Sequence, residues 1–539
     1  MNQWLVSNLN FSFAKRQDET GISYFFKQKS KFAEDQIFEA ADGLIILDGC
    51  LLNKTEIMKE GKYSSFLEYC NLHKAEVFWQ DFRGPFSGCH IGEESLTAYT
   101  NQTGDTFVFW YCVDKKVIIS NNFNLIICVL KENGIDYNYD RQSELYLLNY
   151  GFMLDDSTVV QEIKRLQAGT YLRIKDGRVA VKPYHTFSNK EKPVSFENAI
   201  ELVDNSFKKA VKRCFEKDVE YGYTNHLADM SGGLDSRMVN WAAKELGYNH
   251  ITNISYSQWG TDENKYAKQT SEYLNHTFLH MSLDYPEFLF DIDKLVNMNY
   301  GLSVYFGITG GAELLSNLNQ DKFGLEHSGQ IGDVVVGTFG KNQKIKNFLK
   351  SGHKYSNTLE TEFDLDFSRF ENDEIFNLYT RAFNGALSSH LIRREWFYTV
   401  SPFLDVDFLE TCLSLPSQYR KNHKLYWAWI ESCHKTALSI PSTRKRSGNI
   451  LEKTKNRMNY FIKKNFLHGD ANNMNPFEYW YKNNIQIRDF IEKYYYENIE
   501  RYTELAGSCE NVDKMFRSSN IMDKCMAINV LANVKRYFG

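Results

Sequence analysis

The sequence predicts an α/β fold in which a β-rich sandwich domain precedes a doubly wound parallel sheet and a helical C-terminal part. Short apolar runs bounded by Gly, Asp and Asn fill the first third of the chain, as expected for strands. Strand and helix patterns then alternate, which is typical of a parallel sheet covered by helices. With 539 residues, the chain is long enough to form more than one hydrophobic core.

The first domain is predicted to cover residues 1–187. Its clearest strands are Gly43–Leu47, Thr106–Val113 and Lys116–Ile119. A final hairpin is closed by the turn Lys175–Arg178. The polar stretch Ser188–Pro193 has the composition of a linker, so the second domain is predicted to cover residues 195–539.

The second domain begins with a β-α-β-α-β pattern. The predicted strands are His226–Met230, Ile251–Ser257 and Thr277–Leu283, and the helices between them are Met238–Leu246 and Asp262–Leu274. Thr261 can cap the second helix. Such a run predicts a doubly wound sheet whose ligand site lies at the carboxyl ends of the strands. Beyond about residue 340, the patterns are mainly helical.

Composition excludes several classes of protein. The chain is 43% hydrophobic with 8 prolines, as in compact globular proteins. Its net charge of −5 and its short apolar runs carry no signal for binding nucleic acid or a membrane. The 10 cysteines form no Cys-x-x-Cys pair, which argues against a zinc site or a disulfide framework and favours reduced thiols. Met1 is not followed by a secretory signal, so we expect a cytoplasmic protein.

The most informative segment is the Ser-Gly-Gly-Leu-Asp-Ser string at residues 231–236. A strand that feeds a glycine-rich turn into a helix start directs backbone N–H groups at an anion. The carboxylate of Asp235 beside this turn does not favour a bare phosphate and implies a bridging Mg²⁺ ion. No lysine follows, as it would in the loop that holds β- and γ-phosphates, so we expect ATP to be cleaved between its α- and β-phosphates. A plain turn that only starts a helix is the alternative. The candidate ATP-binding residues are Ser231, Gly232, Gly233, Leu234, Asp235 and Ser236.

Three segments resemble one family. Residues 231–236 carry the signature of ATP-pyrophosphatase (PP-loop) proteins, and the ending Leu-Asp-Ser resembles the asparagine synthetase branch. The strand-like Phe323–Glu326 precedes Ser328–Asp333, which is similar to that family's Ser-Gly-Glu-Gly-Ser-Asp-Glu segment. Pro402–Asp405 reads Pro-Phe-Leu-Asp, as in the family.

The resemblance assigns roles to the second segment. It implies that Asp333 joins Asp235 as a ligand of Mg²⁺ and that Gly329 belongs to the ATP site. Gln330 stands where synthetases carry a glutamate, so it is a candidate for the amine half-reaction, although a neutral amide cannot act as a general base. Tyr398 stands where the family has another glutamate, with core packing as its alternative role. The amine and the acceptor are therefore expected to differ from ammonia and aspartate.

A basic cluster is predicted to supply the cation that adenylation needs. The family places a lysine for this step on a flexible loop after the Pro-Phe-Leu-Asp helices, and residues 440–448 resemble that loop. Lys445 is the first candidate, and Arg446 is the second because the register is open by one residue. A solvated basic face is the alternative for such a cluster.

The first domain resembles the glutaminase half of asparagine synthetases, which has an N-terminal-nucleophile (Ntn) hydrolase fold. The similar segments are Asp48–Asn53, Gly84–Gly88, Asn101–Gly104 and Ile163–Gly169. That fold hydrolyses glutamine with a cysteine at position 2, but this chain has Asn2, which has no nucleophile to offer. We therefore expect a glutaminase fold kept as a scaffold without activity. Processing that exposes another nucleophile is the alternative.

The resemblance implies an ATP-dependent ligase that forms amide bonds. A small-molecule or peptide carboxylate would be activated as the acyl-adenylate, with AMP and pyrophosphate as products, and then attacked by an amine donor. ATP and Mg²⁺ are the implied cofactors. Two alternatives stay open: an intramolecular peptide or lactam cyclase of the same family, and a non-catalytic nucleotide-binding relative. A homodimer is one candidate assembly, and no nucleic-acid or membrane partner is expected.

Overall fold

Two antiparallel six-stranded sheets build the N-terminal part of this computed structural model. The structure describes residues 2–14, 16–17, 22–28, 31–32, 36–40, 43–73, 77–92, 95–305, 310–337, 354–359, 363, 365–444, 446 and 475–539. The strands of the two sheets are β1 (Gln3–Ser7), β2 (Arg16–Gln17), β3 (Ser23–Lys27), β4 (Gln36–Ala40), β5 (Gly43–Gly49), β6 (Phe86–Gly92), β7 (Leu96–Thr100), β8 (Phe109–Val113), β9 (Lys116–Ser120), β10 (Ile163–Arg165), β11 (Thr170–Lys175) and β12 (Arg178–Pro183). The first sheet has the order β10-β8-β9-β1-β3-β2, and the second has the order β12-β11-β7-β6-β5-β4.

The two sheets pack their apolar faces against each other. The core between them contains Trp4 of the first sheet and Ile46 and Leu172 of the second. Helices α1 (Lys54–Gly61) and α2 (Phe66–His73) cover the outer face of the second sheet, and α3 (Phe123–Glu132) and α4 (Arg141–Tyr150) cover that of the first. These four layers confirm the β-rich sandwich predicted for the first part of the chain.

A parallel five-stranded sheet follows in the second part of the chain. Its strands are β13 (His226–Asp229), β14 (Ile251–Ser257), β15 (Thr277–Ser282), β16 (Glu326–His327) and β17 (Thr399–Val400), in the order β15-β14-β13-β16-β17. The helices that connect or cover them are α5 (Phe196–Glu220), α6 (Asp235–Glu245), α7 (Asp262–Tyr273), α8 (Ile292–Asn299), α9 (Gly310–Ser316) and α10 (Gly332–Val336). The strand order reverses at β13, which creates a crevice at its carboxyl end and confirms the doubly wound sheet.

The predicted strands shift by up to three residues at their ends, and the strand before Ser328 differs the most from its prediction. β14 has the predicted range, but the strand-like segment Phe323–Glu326 contributes only its last residue, because β16 consists of Glu326 and His327. The backbone N–H of Leu325 donates to the carboxylate of Asp218 (2.8 Å) instead of to a neighbouring strand. Strand pairing therefore starts later than the apolar pattern indicates.

Helices make up most of the remaining described chain. They are α11 (Asp373–Asn377), α12 (His390–Arg393), α13 (Val406–Ser414), α14 (Ser417–Arg420), α15 (Lys424–Cys433), α16 (Phe477–Asn483), α17 (Ile485–Ala506), α18 (Glu510–Phe516) and α19 (Ile521–Phe538). A π-helical turn (Leu378–Gly385) and a 3-10 turn (Ala386–Ser389) join α11 to α12 without a break. Within the described ranges, every helix is too short or too polar to span a bilayer.

The last helices of the chain pack on the first domain. Ile491 of α17 and Ile528 of α19 belong to the same buried core as Ile126 of α3. The hydroxyl of Tyr502 donates to the buried carboxylate of Glu144 in α4 (2.8 Å). The outer helices of the first sheet are thus covered by residues that follow them by more than 350 positions.

The predicted linker is bound to the second domain. Ser188–Pro193 contains no helix or strand. Asn189 is nevertheless buried, and its amide donates to the carboxylate of Glu374 (2.6 Å). The domain division at residues 187 and 195 remains a prediction.

A buried carboxylate connects the front sandwich to the parallel sheet. Asp48 in β5 accepts hydrogen bonds from Asn121 Nδ2 and from the hydroxyl of Tyr398, each at 2.7 Å. All three side chains are buried. Burial raises the pKa of Asp48, and the two hydrogen bonds offset only part of this effect. Tyr398 is thus a core residue with a polar partner, as its packing alternative predicted.

We expect Tyr398→Phe to destabilise the protein. The substitution keeps the ring but removes one donor from a buried carboxylate, which typically costs about 1–3 kcal/mol. The free energy of unfolding in urea and the midpoint of thermal unfolding should both fall. Tyr285→Phe is the control, because that side chain is 81% exposed. Equal stability of wild type and Tyr398→Phe would show that Asp48 does not depend on this hydroxyl.

Candidate active site

The glycine-rich turn after β13 (Ser231–Ser236) is held by hydrogen bonds between its own residues. The N–H of Ser231 donates to the hydroxyl of Ser236 (2.9 Å), and the N–H of Gly233 donates to the hydroxyl of Ser231 (3.1 Å). The N–H of Gly232 donates to a carboxylate oxygen of Glu263 (3.0 Å), in the first turn of α7. Three successive amides therefore bind oxygen acceptors, and one of these carries negative charge. Successive backbone N–H groups that donate to oxygen atoms in this way are typical of an anion-binding site.

Close backbone packing joins this turn to the loop that follows β16. A Cβ atom on Gly329 would lie 2.3 Å from the backbone nitrogen of Ser236, so only glycine fits at this position. The contact brings the next helix, α10, beside the turn. As a result, the N–H of Asp333 donates to Oδ2 of Asp235 (3.1 Å).

The two predicted metal ligands lie side by side. Asp235 begins α6, and the hydroxyl of Tyr426 donates to its Oδ1 (2.6 Å). Burial, and then the neighbouring charge of Asp333, raises the pKa of Asp235. A divalent cation would relieve the repulsion between the two carboxylates. Because these side chains offer oxygen donors, the pair fits Mg²⁺.

Four of the seven predicted nucleotide residues line a cavity of about 230 Å³, which we call the nucleotide cavity. Its walls include Ser231, Asp235, Ser236 and Gly329. Leu234, also predicted for this site, is buried in the core and contributes only its backbone to the turn. The structure thus brings together predicted residues from two segments that are almost 100 positions apart.

A buried arginine on the cavity wall was not predicted from the sequence. Arg393 of α12 contacts Asp229 at 3.2 Å, pairs with Glu326, and donates to the hydroxyl of Tyr256 (2.7 Å). Burial raises the pKa of Glu326, and Arg393 offsets only part of this effect. These four residues come from four separate elements. Sequence spacing therefore carried no signal for them.

Arg444 is the cation that the structure places at the acid pair. Its guanidinium donates to Oδ2 of Asp333 (2.5 Å), and its other terminal nitrogen lies 2.8 Å from His423 Nε2. Arg446 instead contacts Glu431 of α15 (3.3 Å), with most of its side chain exposed. Lys445, the first candidate from the sequence, lies outside the described residues. Its role as the catalytic cation stays a prediction.

Arg237 ties the basic loop to the nucleotide turn. This fully buried side chain of α6 donates to three carbonyl oxygens of residues 437–441, at 2.7–2.9 Å. The N–H of Thr443 then donates to the carbonyl oxygen of Gly232 (2.9 Å). The backbone before Arg444 is therefore fixed at both its start and its end.

Gln330 lies between two cavities. It lines the nucleotide cavity, and its Nε2 donates to the hydroxyl of Ser389 (3.2 Å), which lines a second cavity of about 580 Å³. The second cavity extends from Phe152 of the first domain to the π-helical turn, and Lys354 and Arg381 are the basic residues in its wall. An amide at this junction can donate and accept hydrogen bonds but cannot take up a proton.

The front domain offers no reactive thiol at its predicted catalytic position. Asn2 is fully buried, and its carbonyl oxygen accepts a hydrogen bond from Asn121 (2.9 Å). Cys50, Cys70 and Cys89 are buried as well, and burial raises the pKa of Cys70 to about 12. A thiol with so high a pKa is a poor nucleophile at neutral pH.

Asp218, His226 and His327 form a separate buried cluster. Oδ2 of Asp218 lies 2.8 Å from a ring nitrogen of each histidine. The ring of His327 stacks on Phe215 at 3.8 Å. One carboxylate oxygen between two imidazole N–H groups makes a hydrogen-bonded structural unit, and these distances match hydrogen bonds. This unit supports the strands below the nucleotide turn.

A family model matches one segment of the second part of the chain. Residues 202–299 match the Asparagine synthase family, and this segment contains the nucleotide turn with β13, β14 and β15. No curated protein sequence matches the chain.

Three solved structures show distant similarity. The first is an allosteric regulatory enzyme of purine biosynthesis, with 9% identity over 52% of this chain and 74% of that one, at a TM-score of 0.23. The second is glutamine phosphoribosylpyrophosphate amidotransferase from B. subtilis complexed with ADP and GMP, with 10% identity over 52% and 85%, at a TM-score of 0.24. The third is NMN synthetase from Francisella tularensis, with 12% identity over 48% and 100%, at a TM-score of 0.19.

At these TM-scores the overall structures do not superpose, so none of the three decides the architecture or the function. The assignment depends on the family match and on the motifs that lie in and beside it. Residues 202–299 therefore carry a segment that matches the Asparagine synthase family.

Proposed function

We propose that this protein is an ATP-dependent ligase that joins a carboxylate to an amine and releases AMP and pyrophosphate. One observation carries the proposal: Asp235 of the glycine-rich turn lines the nucleotide cavity, Asp333 beside it lines the second cavity, and Arg444 contacts Asp333. Anion-binding amides, paired carboxylates for a divalent cation and a positive side chain are what substitution at the α-phosphorus of ATP requires.

The first step would form the acyl-adenylate. A carboxylate oxygen of the acceptor attacks the α-phosphorus of ATP, the bond from that phosphorus to the bridging oxygen breaks, and pyrophosphate leaves. The amides of Gly232 and Gly233, now bonded to side-chain oxygens of Glu263 and Ser231, would bind the pyrophosphate. Asp235 and Asp333 would hold Mg²⁺, whose charge offsets that of the leaving group.

The second step would form the amide. The amine nitrogen attacks the acyl carbon, the bond from that carbon to the AMP oxygen breaks, and the nitrogen loses a proton. The second cavity lies next to the nucleotide cavity, and both include Ile331 in their walls. The basic residues Lys354 and Arg381 suit it to an acceptor with carboxylate groups. We assign the acceptor to this cavity.

The amine would not come from glutamine hydrolysed by this chain. Asn2 has neither a thiol nor a hydroxyl with which to form the acyl-enzyme that such hydrolysis needs. The amine must then arrive free or as part of the acceptor itself. In the second case the protein would be an intramolecular cyclase with the same nucleotide chemistry.

The products of ATP cleavage test the proposal directly. With Mg²⁺ and a set of carboxylates (amino acids, sugar acids and short peptides), we expect exchange of labelled pyrophosphate into ATP for at least one acceptor. Hydroxylamine, used as the amine probe, should convert that acceptor to its hydroxamate and release AMP in equal amount. Glutamine should not replace the amine.

Each other outcome has a distinct meaning. ADP as the main product would overturn the proposal. Exchange without trapping by hydroxylamine, together with loss of the amine of the acceptor, would establish the cyclase. Nucleotide binding with no exchange for any carboxylate would favour a non-catalytic relative.

We expect Asp235→Asn and Asp333→Asn each to weaken the response to Mg²⁺. Both changes keep the size of the side chain but remove a charged oxygen ligand. The Mg²⁺ concentration for half-maximal turnover should rise by about tenfold or more. Asp489→Asn is a matched control, because Asp489 is exposed on α17. Unchanged Mg²⁺ dependence in both site variants would exclude the pair as the metal site.

We expect Arg444→Ala and Lys445→Ala to lower turnover more than they weaken ATP binding. A cation that offsets charge in the transition state typically contributes about 10²–10³ in rate. Steady-state turnover and the ATP dissociation constant, measured by calorimetry, separate the two effects. Arg446→Ala should act more weakly because Arg446 is held by Glu431.

Lys435→Ala is the matched control for loss of positive charge, since Lys435 is exposed just before the same loop. A severe effect of Arg446→Ala alone would move the catalytic cation to that residue. Full activity of all three variants of the basic triplet would make the cluster a solvated surface.

A further inference from the structure

Gln330 has a defined orientation at the junction of the two cavities. The hydroxyl of Ser389 donates to the carbonyl oxygen of Ala386 (2.8 Å), so its oxygen is left to accept. It accepts from Nε2 of Gln330 (3.2 Å), and Oε1 of Gln330 therefore points to the ring of His390. The distance from this Oε1 to Nε2 of His390 is 2.5 Å, and since an amide oxygen only accepts, the histidine carries a proton on Nε2.

His390 in turn reaches the first domain. It begins α12 and is fully buried, and its Nδ1 lies 3.6 Å from Oδ2 of Asp105. That distance is too long for a hydrogen bond; the carboxylate favours a protonated ring, while burial, the larger effect, lowers the pKa of His390. Asp105 lies in the turn after β7, directly after the segment Asn101–Gly104 that resembles the glutaminase half.

Asp105 is itself held in place. The hydroxyl of Thr103 donates to its Oδ1 (2.9 Å), Asn101 donates to the same oxygen, and Arg394 donates to its backbone oxygen. Burial alone would raise the pKa of Asp105, but His390, Arg394 and Asn101 together lower it to about 2. The carboxylate is therefore charged at neutral pH and faces the ring of His390.

We propose that Asp105 and His390 are positioning residues that hold the amide of Gln330 for the acyl-adenylate, so that the first domain completes the ligase site. Nε2 of Gln330 carries two hydrogens, and Ser389 accepts one of them. The other is available to the acyl oxygen of the adenylate, at the place where the two cavities meet. Gln330 then acts as a hydrogen-bond donor that stabilises developing charge on this oxygen. This inference rests on the proposed function.

A binding experiment tests whether Asp105 and His390 position Gln330 (the relay), and it does not require the acceptor to be known. Acetylsulfamoyl-adenosine is a stable mimic of acetyl-adenylate, and AMP lacks its acyl group. The ratio of their dissociation constants, measured by calorimetry with Mg²⁺, reports the contact to the acyl oxygen. We expect Gln330→Ala and His390→Ala each to lower the preference for the mimic about fivefold to tenfold, as for one lost hydrogen bond.

The combined variants distinguish a relay from two separate effects. In the double variant Gln330→Ala/His390→Ala, the preference should fall no further than in either single variant. His390→Gln should restore most of the preference, because its amide can replace Nε2 of the ring as donor. Asp105→Asn should act in the same direction as His390→Ala, and only when Gln330 is present.

Glu144→Gln is the matched control. Glu144 is another buried carboxylate of the first domain that contacts the C-terminal helices, but it does not line either cavity. Its variant should keep the wild-type preference. Circular dichroism and thermal unfolding of every variant verify that it is folded.

The failures are distinguishable. A wild-type protein that binds neither ligand would overturn the proposed function and this inference with it. A wild-type protein that prefers the mimic, with the same preference in His390→Ala, would overturn the relay alone. Equal losses of affinity for both ligands, or effects that multiply in the double variant, would assign His390 a purely structural role.

Discussion

The site depends on one steric constraint, the contact of two backbone turns with no room for a side chain between them. Gly329 approaches the backbone of Asp235 and Ser236 so closely that a Cβ atom would overlap it. This contact fixes the separation between α6 and α10, and with it the distance between the two carboxylates. The raised pKa of Asp235 is a consequence, because packing holds two like charges together. The fold thus supplies the free energy that keeps an unfavourable pair of charges in place.

Positive charge reaches this pair from far along the chain. Arg444 follows Asp333 by 111 positions, and its loop is held by the buried guanidinium of Arg237. Arg237 belongs to the helix that begins with Asp235, so one helix carries both an acidic residue and the anchor for its counter-charge. A substitution at Arg237 would therefore act on the site without touching nucleotide. Such coupling through a rigid helix explains how a loop can be placed reliably over a turn more than 200 positions away.

Local sequence patterns predicted much of the fold around the candidate site. The nucleotide turn, β14 and α7 follow from short patterns whose physical meaning is local, such as glycine turns, caps and strand periodicity. The pairing of Asp235 with Asp333, 98 positions apart, was implied only by the family resemblance. The short β16 was not predictable, because the N–H of Leu325 is taken by a carboxylate more than 100 positions away. The same holds for the place of Arg444, since a basic triplet does not reveal which member turns inward.

Contacts between domains were the least accessible from the sequence. Tyr398 was a candidate for proton transfer or packing, and its choice of partner depends on Asp48, which lies 350 positions earlier. His390 carried no motif at all. Its contacts with Asp105 and Gln330 are visible only in the structure, because these two residues come from different parts of the chain. Sequence patterns within one helix or strand do not predict contacts between such distant residues.

The packing of α17 and α19 on the first domain has a consequence for how the protein folds during its synthesis. A ribosome completes the front sandwich long before it makes the helices that cover α3 and α4. Until then, the outer apolar faces of those helices can contact α8 but not α17 or α19, so their core is incomplete. Separation of the chain at the linker would leave the same faces in contact with water. The front sandwich is therefore joined to the C-terminal helices by a shared hydrophobic core, whether or not it performs any chemistry of its own.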